Sequence, residues 1–332
     1  MQQLNRQKIP ILCLIFLPVL LMGICILKYS VNFPFSDQWP LAIIFEKIYS
    51  NNLSLSDLFS QFHESRKFFP RLIFIGLAYL TNWDVRYEML VIFLLTCIIS
   101  LNVYCLSRLT LRSNFITVLF LLAISNLLIF SPAQYENWLW GIQVVVYIPI
   151  ACLTGCLVIA KKNLSLRTKL IICFCLCTVS TFSYANGMLT WLLVFPALTI
   201  LASGKWQEIF TKNIWIIVSG LLGFITNAVV YFYDYQKPDK HPSFLSAISH
   251  PVDTFHYFLA FLGAPLALEN LTVATIVGAL VFSLWIFLCW QLFRLVKTDF
   301  LLLHRLIVWL IIGVYSAFQI DELHRHNQNL VG

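Results

Sequence analysis

Long apolar runs separated by short polar breaks set the reading of this chain. The strongest runs cover residues 9–27, 88–106, 115–130, 142–160, 168–183, 187–203, 214–233, 271–293 and 300–319. Most approach the roughly 20 residues that an α-helix needs to cross a bilayer. Two further runs, 69–81 and 252–268, are shorter and predict helices that do not complete a crossing. The pattern predicts an all-α polytopic membrane protein with about nine transmembrane helices. It would form a single integral membrane domain over 1–332, with no soluble C-terminal domain.

The first break, residues 28–71, has a pattern of its own. After Pro40, a residue well suited to the first helical position, Leu41, Ile44, Phe45 and Ile48 recur at helical spacing, with Glu46 and Lys47 off that face. A second helix is predicted from Ser54, where Asp57 three residues on resembles a capping box. Leu55, Leu58, Phe59 and Phe62 would share one face of it, and Asp57, Gln61 and Glu64 the other. His63 and Lys67 would flank the boundary as an i, i+4 pair. Both helices are too short and too two-sided to span, and read as juxtamembrane helices lying in the interface.

Composition agrees. Sixty per cent of the residues are hydrophobic, 11 per cent are charged and mean hydropathy is +0.82, against about 25 per cent charged in a soluble domain. The first apolar run is longer than the roughly 7–15 residues of a signal peptide's apolar region, and no small-residue cleavage site follows. It reads as an anchor. All ten cysteines fall in predicted spans, where Cys behaves as a small hydrophobe. The alternation of Cys173, Cys175 and Cys177 matches no zinc-site spacing. There is no internal repeat, no glycine-rich phosphate loop and no nucleic-acid signature.

Charge supplies an orientation. With 69–81 and 252–268 not counted as crossings, one side carries twelve Lys and Arg, from Arg6 to Lys297, and only Glu208 and Asp299 as acids. The other side carries nine bases and thirteen acids. Short loops rich in Lys and Arg face the cytoplasm, so the N-terminus is expected inside, in a bacterial inner membrane. Every unusual polar stretch then falls on the outer side: FPFSDQWP at 33–40, FHESRKFFPR at 62–71, SPAQYENWLWG at 131–141, SYANGM at 183–188, and the 234–257 loop with His241, His250 and His256.

These stretches hold the candidate chemistry. Asp37, beside Trp39, suits a general base toward an acceptor hydroxyl or a ligand for a divalent cation; capping the helix at Pro40 is the competing role. Arg66, Lys67 and Arg71 break the acidic trend of the outer loops and suit a phosphate, since guanidinium groups bind phosphate bidentately; snorkelling to lipid headgroups is the alternative. His63 and Glu64 suit a catalytic or metal-binding role, and the wet face of an interfacial helix is the alternative. Glu136 stands among Tyr135, Trp138 and Trp140, where the aromatic residues could equally form an interfacial belt. Asn186-Gly187 is a turn signal. Asn126, within a run, suits a hydrogen bond to a neighbouring helix.

Taken together, Asp37 after the first span, the two juxtamembrane helices and the HESRKFFPRL segment resemble the GT-C superfamily of membrane glycosyltransferases, which use polyprenyl-phosphate-linked sugars. NWDVRYE at 82–88 resembles the segment that follows in that superfamily, and QYENWLWG and YANGM are similar to loops of bacterial membrane proteins placed near it. The likeness covers roughly the first 200 residues. Many members carry a second acid after the first, where this chain has Gln38, and many carry a soluble C-terminal domain. The resemblance implies sugar transfer from a polyprenyl-phosphate carrier to an envelope acceptor at the outer face. Asp37, His63, Glu64 and Glu136 would be catalytic, with Arg66, Lys67 and Arg71 on the lipid phosphate. Trp39, Tyr135, Trp138 and Asn186 would contact acceptor or sugar.

Three other readings stand beside this one: a non-catalytic membrane assembly protein, a transporter, and a truncated, inactive enzyme. Near-absence of charge inside the runs weighs against a transporter, whose sites lie at mid-membrane. The shared requirement of the enzymatic reading is that the polar loops lie together. Topology tags at residues 65 and 136 are expected on the same, non-cytoplasmic face, and opposite faces would end that reading.

Overall fold

The computed structural model describes residues 2–111, 113–236, 251–267, 270–296 and 300–328. Arg112, Lys237, Asp239, Lys240, His241, His250, Glu269, Lys297 and Asp299, which enter the charge balance or the 234–257 loop, lie outside the described residues. The helices, in chain order, are α1 (Gln2–Tyr29), α2 (Leu41–Tyr49), α3 (Leu55–Phe59), α4 (Phe68–Thr81), α5 (Arg86–Thr110), α6 (Phe115–Ile129), α7 (Tyr135–Leu139), α8 (Val144–Lys161) and α9 (Leu166–Thr181). They continue with α10 (Leu189–Ala202), α11 (Trp206–Thr211), α12 (Ile214–Phe232), α13 (Pro251–Gly263), α14 (Leu271–Val296) and α15 (Phe300–Gln328). Two-residue strands β1 (Gln61–Phe62) and β2 (Ser65–Arg66) form one antiparallel hairpin.

Seven helical segments among the described residues are long and apolar enough to cross a membrane: Pro10–Tyr29, Arg86–Thr110, Phe115–Leu139, Gly141–Lys161, Ala185–Ala202, Ile214–Phe232 and Leu271–Leu295. Their outer surfaces are apolar, with Leu20, Leu27, Val229, Leu280 and Phe293 among many large side chains left exposed. Apolar cover on this scale is foreign to a soluble monomer and natural against lipid. The chain is therefore an all-α polytopic membrane protein. The run expected at 168–183 forms α9, 16 residues long. The short 69–81 run forms α4, whose 14 residues extend about 21 Å at 1.5 Å per residue.

By internal packing the chain divides into two compact units, Met1–Leu198 with Trp215–Tyr235, and Thr199–Ile214 with Gln236–Gly332. In the first, α5 packs on α8 and α6, α8 on α9, and α1 on α6. The centre is α8, since 72% of its span is buried inside the protein against 22–44% for the other spans of this unit. Cys152 and Cys156 on α8, and Cys173 and Cys177 on α9, are buried. A few polar bonds fix the packing: Ser100 donates to Asn126 Oδ1 at 2.6 Å, and Asn126 Nδ2 to the Ile15 carbonyl at 3.0 Å. One asparagine thus ties α5, α6 and α1 together, at roughly 0.6 kcal/mol for a typical interhelical bond in a membrane. In the second unit α13 packs along α14, and a Cβ at Gly278 would overlap the Leu259 carbonyl, so the close approach requires glycine there.

The first loop differs from the expectation in one respect. Helix α3 starts as predicted: Ser54 Oγ accepts from Asp57 N at 3.2 Å and Asp57 Oδ2 from Ser54 N at 2.9 Å. It stops at Phe59 instead of running on toward Lys67. The physical reason lies in its last carbonyls. A helix that continued would pair them with amides four residues on. Here Arg71 Nη1 donates to the carbonyls of Asp57, Leu58 and Ser60 at 3.2, 2.8 and 2.6 Å, and Arg66 Nη1 to that of Phe59 at 2.7 Å. Side chains from further along the chain close the helix, and the freed backbone folds into the hairpin. Sequence periodicity over 55–64 carries no sign of this.

Asp57 also receives Lys47 Nζ at 2.5 Å, tying α2 to α3. Lys47 and then Ser54 hold its carboxyl well below the usual carboxylate range. A depressed folded value means that the stabilisation is in force above the ordinary aspartate pKa of about 3.9 and disappears as pH falls through the folded one. Hydrogen exchange over 41–59 is therefore expected to keep its protection down to about pH 4 and lose it in a step below. Asp57→Asn should lack that step; identical pH profiles for the two proteins would show that the clamp contributes nothing.

Candidate functional site

The site is assembled by two strained turns and the anchors beneath them. The first is the arch 35–38. Ser36 has φ of +46°, a backbone region that non-glycine residues rarely occupy. The arch is held at both feet. Phe35 N donates to Gln38 Oε1 at 3.0 Å, and the Phe35 carbonyl accepts from Trp140 Nε1 at 3.1 Å. Gln38, only 1% exposed, donates through Nε2 to Glu88 Oε2 at 2.6 Å. Glu88 sits in the first turn of α5 and is itself 1% exposed.

The second is the hairpin turn His63–Glu64 between β1 and β2, with His63 at φ +51°. Two-residue hairpins require a positive φ at their first central residue. A hairpin this small is marginal on its own, so what fixes it is tertiary. Arg66 donates from Nε to the Tyr231 carbonyl at 2.5 Å and from Nη2 to that of Tyr233. Tyr231 Oη donates to the Glu64 carbonyl at 2.7 Å, and Ser65 Oγ accepts from Ala185 N at 3.3 Å. Phe69 N donates to the Phe182 carbonyl at 3.2 Å. Bonds from a charged donor contribute about 1.5–3 kcal/mol each, so the Arg66 fork outweighs the hairpin's own ladder.

Between these turns lies a small, partly open cleft, lined by Asp37, Pro40, Leu41, Ile44, Phe62, Lys67, Arg71, Phe74 and Ile142. Asp37 Oδ2 is 3.7 Å from His63 Nε2. Lys67 is buried, with Nζ 4.2 Å from the Phe62 ring centre. Arg71 is buried too, and burial, with Arg66 nearby, pushes its guanidinium down to about 10. It therefore remains a cation at neutral pH. One carboxylate and two cations share a recess whose remaining walls are largely apolar, with the exposed His63 imidazole beside the carboxylate.

The other expected residues take different places. Each guanidinium nitrogen of Arg66 donates to a main-chain carbonyl, so its observed role is to brace the hairpin and the ends of α3 and α12. Glu64 is half-buried in the turn, and Trp39 is exposed, edge-on to Phe33 and Trp83. Tyr135 and Glu136 are exposed beside one another, with Tyr135 Oη donating to Glu136 Oε1 at 3.3 Å, and neither lines the cleft. Trp138 is a core residue: it packs on Phe130 and Tyr147 and donates to the Ser131 carbonyl at 3.2 Å. Asn186 lies in the 3-10 turn Ala185–Met188 with Nδ2 buried and without a hydrogen-bond partner.

Gln38, Glu88 and Gly141 are the residues that sequence reasoning missed. An acid at the edge of a strongly apolar run is a signal for function, and Glu88 carries it; its partner lies fifty residues away and is invisible in the sequence. Among the described residues no three His, Cys, Asp or Glu side chains are grouped to hold a metal ion. No family model, curated protein or solved structure matches this chain.

Gly141 is a packing requirement of the same site. A Cβ there would overlap Glu88 Oε2 and lie 2.7 Å from Gln38 Nε2. Gly141→Ala is expected to destabilise the protein by about 1–3 kcal/mol, the range for forced overpacking. Thermal unfolding in detergent measures this, and an unchanged midpoint would show that the pair yields without cost.

Proposed function

We propose that this protein is a membrane glycosyltransferase of GT-C type, transferring a sugar from a polyprenyl-phosphate carrier to an envelope acceptor at the non-cytoplasmic face. The topology that goes with this reading has nine spans and a cytoplasmic N-terminus, supported by the charge bias of the loops. The observation that carries it is the meeting of Asp37, Lys67 and Arg71 around one cleft with apolar walls at Leu41, Ile44, Phe74 and Ile142, with His63 beside Asp37. An anion attached to a hydrocarbon chain needs this combination: cations for the phosphate and aliphatic surface for the first isoprene units. A carboxylate lining the same cleft as the cations suits a base acting beside the leaving group.

In the transfer, the acceptor hydroxyl oxygen bonds to the anomeric carbon as the bond from that carbon to the phosphate oxygen breaks. Asp37 takes or orients the hydroxyl proton, and the electron pair leaves with the lipid phosphate. Lys67 and Arg71 stabilise the charge that develops there. His63 adds a polar group beside Asp37, and Trp39 offers exposed aromatic surface to a sugar. A second reading, a non-catalytic membrane assembly protein, is favoured by one observation: Arg66 and Arg71 both bond main-chain carbonyls.

Transfer from undecaprenyl-phosphate sugars in proteoliposomes separates the two. Asp37→Asn is expected to lower turnover by about 10²–10⁴, the usual contribution of general acid–base catalysis. Arg71→Ala is expected to weaken retention of undecaprenyl phosphate in native mass spectrometry. Intact transfer in both variants would sink the enzymatic reading.

A further inference from the structure

The buried carboxyl of Glu88 has no place in the reaction just described. Carboxyl groups in apolar interiors are costly, and replacing buried ionic groups with well-packed apolar ones is often neutral or stabilising. What Glu88 does have is a close, well-defined bond to Gln38. Gln38 Nε2 donates to it at 2.6 Å, while Gln38 Oε1 accepts from Phe35 N at 3.0 Å. Gln38 is thus held at both ends of its amide, and the two residues between its contacts are Ser36, with its left-handed backbone, and Asp37. The Phe35 carbonyl is held in turn by Trp140 Nε1. Gly141, the next residue, leaves the space in which the Glu88 and Gln38 side chains meet.

We propose that Glu88 is a positioning residue for Asp37: through Gln38 it fixes the arch 35–38 so that the Asp37 carboxylate stays beside His63 and over the cleft of Lys67 and Arg71. The proposal rests on the role given to Asp37 above. A strained turn relaxes unless its surroundings over-determine it, and the Glu88–Gln38 bond is the constraint that reaches this turn from the membrane-embedded bundle. Glu88 does not line the cleft, and its bond to the arch runs through Gln38.

Two measurements on the full-length protein in proteoliposomes test this. Hydrogen exchange over 33–40 reports the arch, because the amides of Phe35, Gln38 and Trp39 bond within it. Glu88→Ala is expected to speed that exchange about tenfold, the scale of losing a charge-assisted hydrogen bond. Glu88→Gln, whose amide oxygen accepts the same bond, should restore it to within about twofold. In transfer assays Glu88→Ala should lower kcat with KM for the undecaprenyl-phosphate sugar unchanged, because Lys67 and Arg71 are untouched, and Glu88→Gln should recover kcat. Should Glu88→Ala fail to fold, Gln38→Leu removes the same bond from the other side. Wild-type exchange in Glu88→Ala or Gln38→Leu, or no rescue by Glu88→Gln, overturns the proposal. If the wild type transfers no sugar, or Asp37→Asn transfers it normally, the enzymatic reading fails on its own, and the exchange arm still decides whether Glu88 orders the arch.

Discussion

Main-chain carbonyls at the ends of short helices must find donors, and near a bilayer, water cannot be counted on to supply them. The first loop of this protein meets that requirement with two arginines. Arg71 collects three carbonyls from the end of α3, and Arg66 takes one from α3 and two from the end of α12. Positive charge at helix C-termini is also favoured by the helix dipole. Without these bonds α3 would have no reason to stop at Phe59, the hairpin would lose its strongest anchor, and the cleft would lose a wall. The concentration of charge in FHESRKFFPR is therefore first a solution to a backbone problem. Lys67 and Arg71 then bring positive charge to the cleft from positions that the same solution fixes.

Much of the architecture was legible in the chain because hydrophobicity in a membrane protein is a direct record of what faces lipid. Each long apolar run forms a helix, and the Ser54–Asp57 cap and the interhelical role of Asn126 appear where their chemistry placed them. The helix expected to run on past Ser60 does not, because amphipathic spacing cannot tell a helix from a chain whose carbonyls are claimed by distant guanidinium groups. Trp138 shows a related limit. Its motif suited a sugar contact or an interfacial belt, yet its ring is buried against Phe130 and Tyr147, and nothing in the local composition separates these cases from a core residue.

The candidate site was legible in part. Asp37, His63, Lys67 and Arg71 were singled out by residue type and by position between spans, and the structure gathers them around one recess. Glu136 and Tyr135 were singled out on the same grounds and lie elsewhere. Gln38 was noticed only as a missing second acid, while its actual partner, Glu88, lies within a span. Long-range pairs of this kind are set by the packing of α5 against the loops, which no local pattern encodes.

Arg71 stands at a point of competition. Its Nη1 is shared among the carbonyls of residues 57, 58 and 60 while its side chain lines the cleft. An anion arriving in the recess must draw on the same guanidinium that closes α3. Occupancy of the cleft and the tightness of that helix end are then linked equilibria, and by reciprocity anything that steadies α3 from outside alters how readily the recess admits a negative charge.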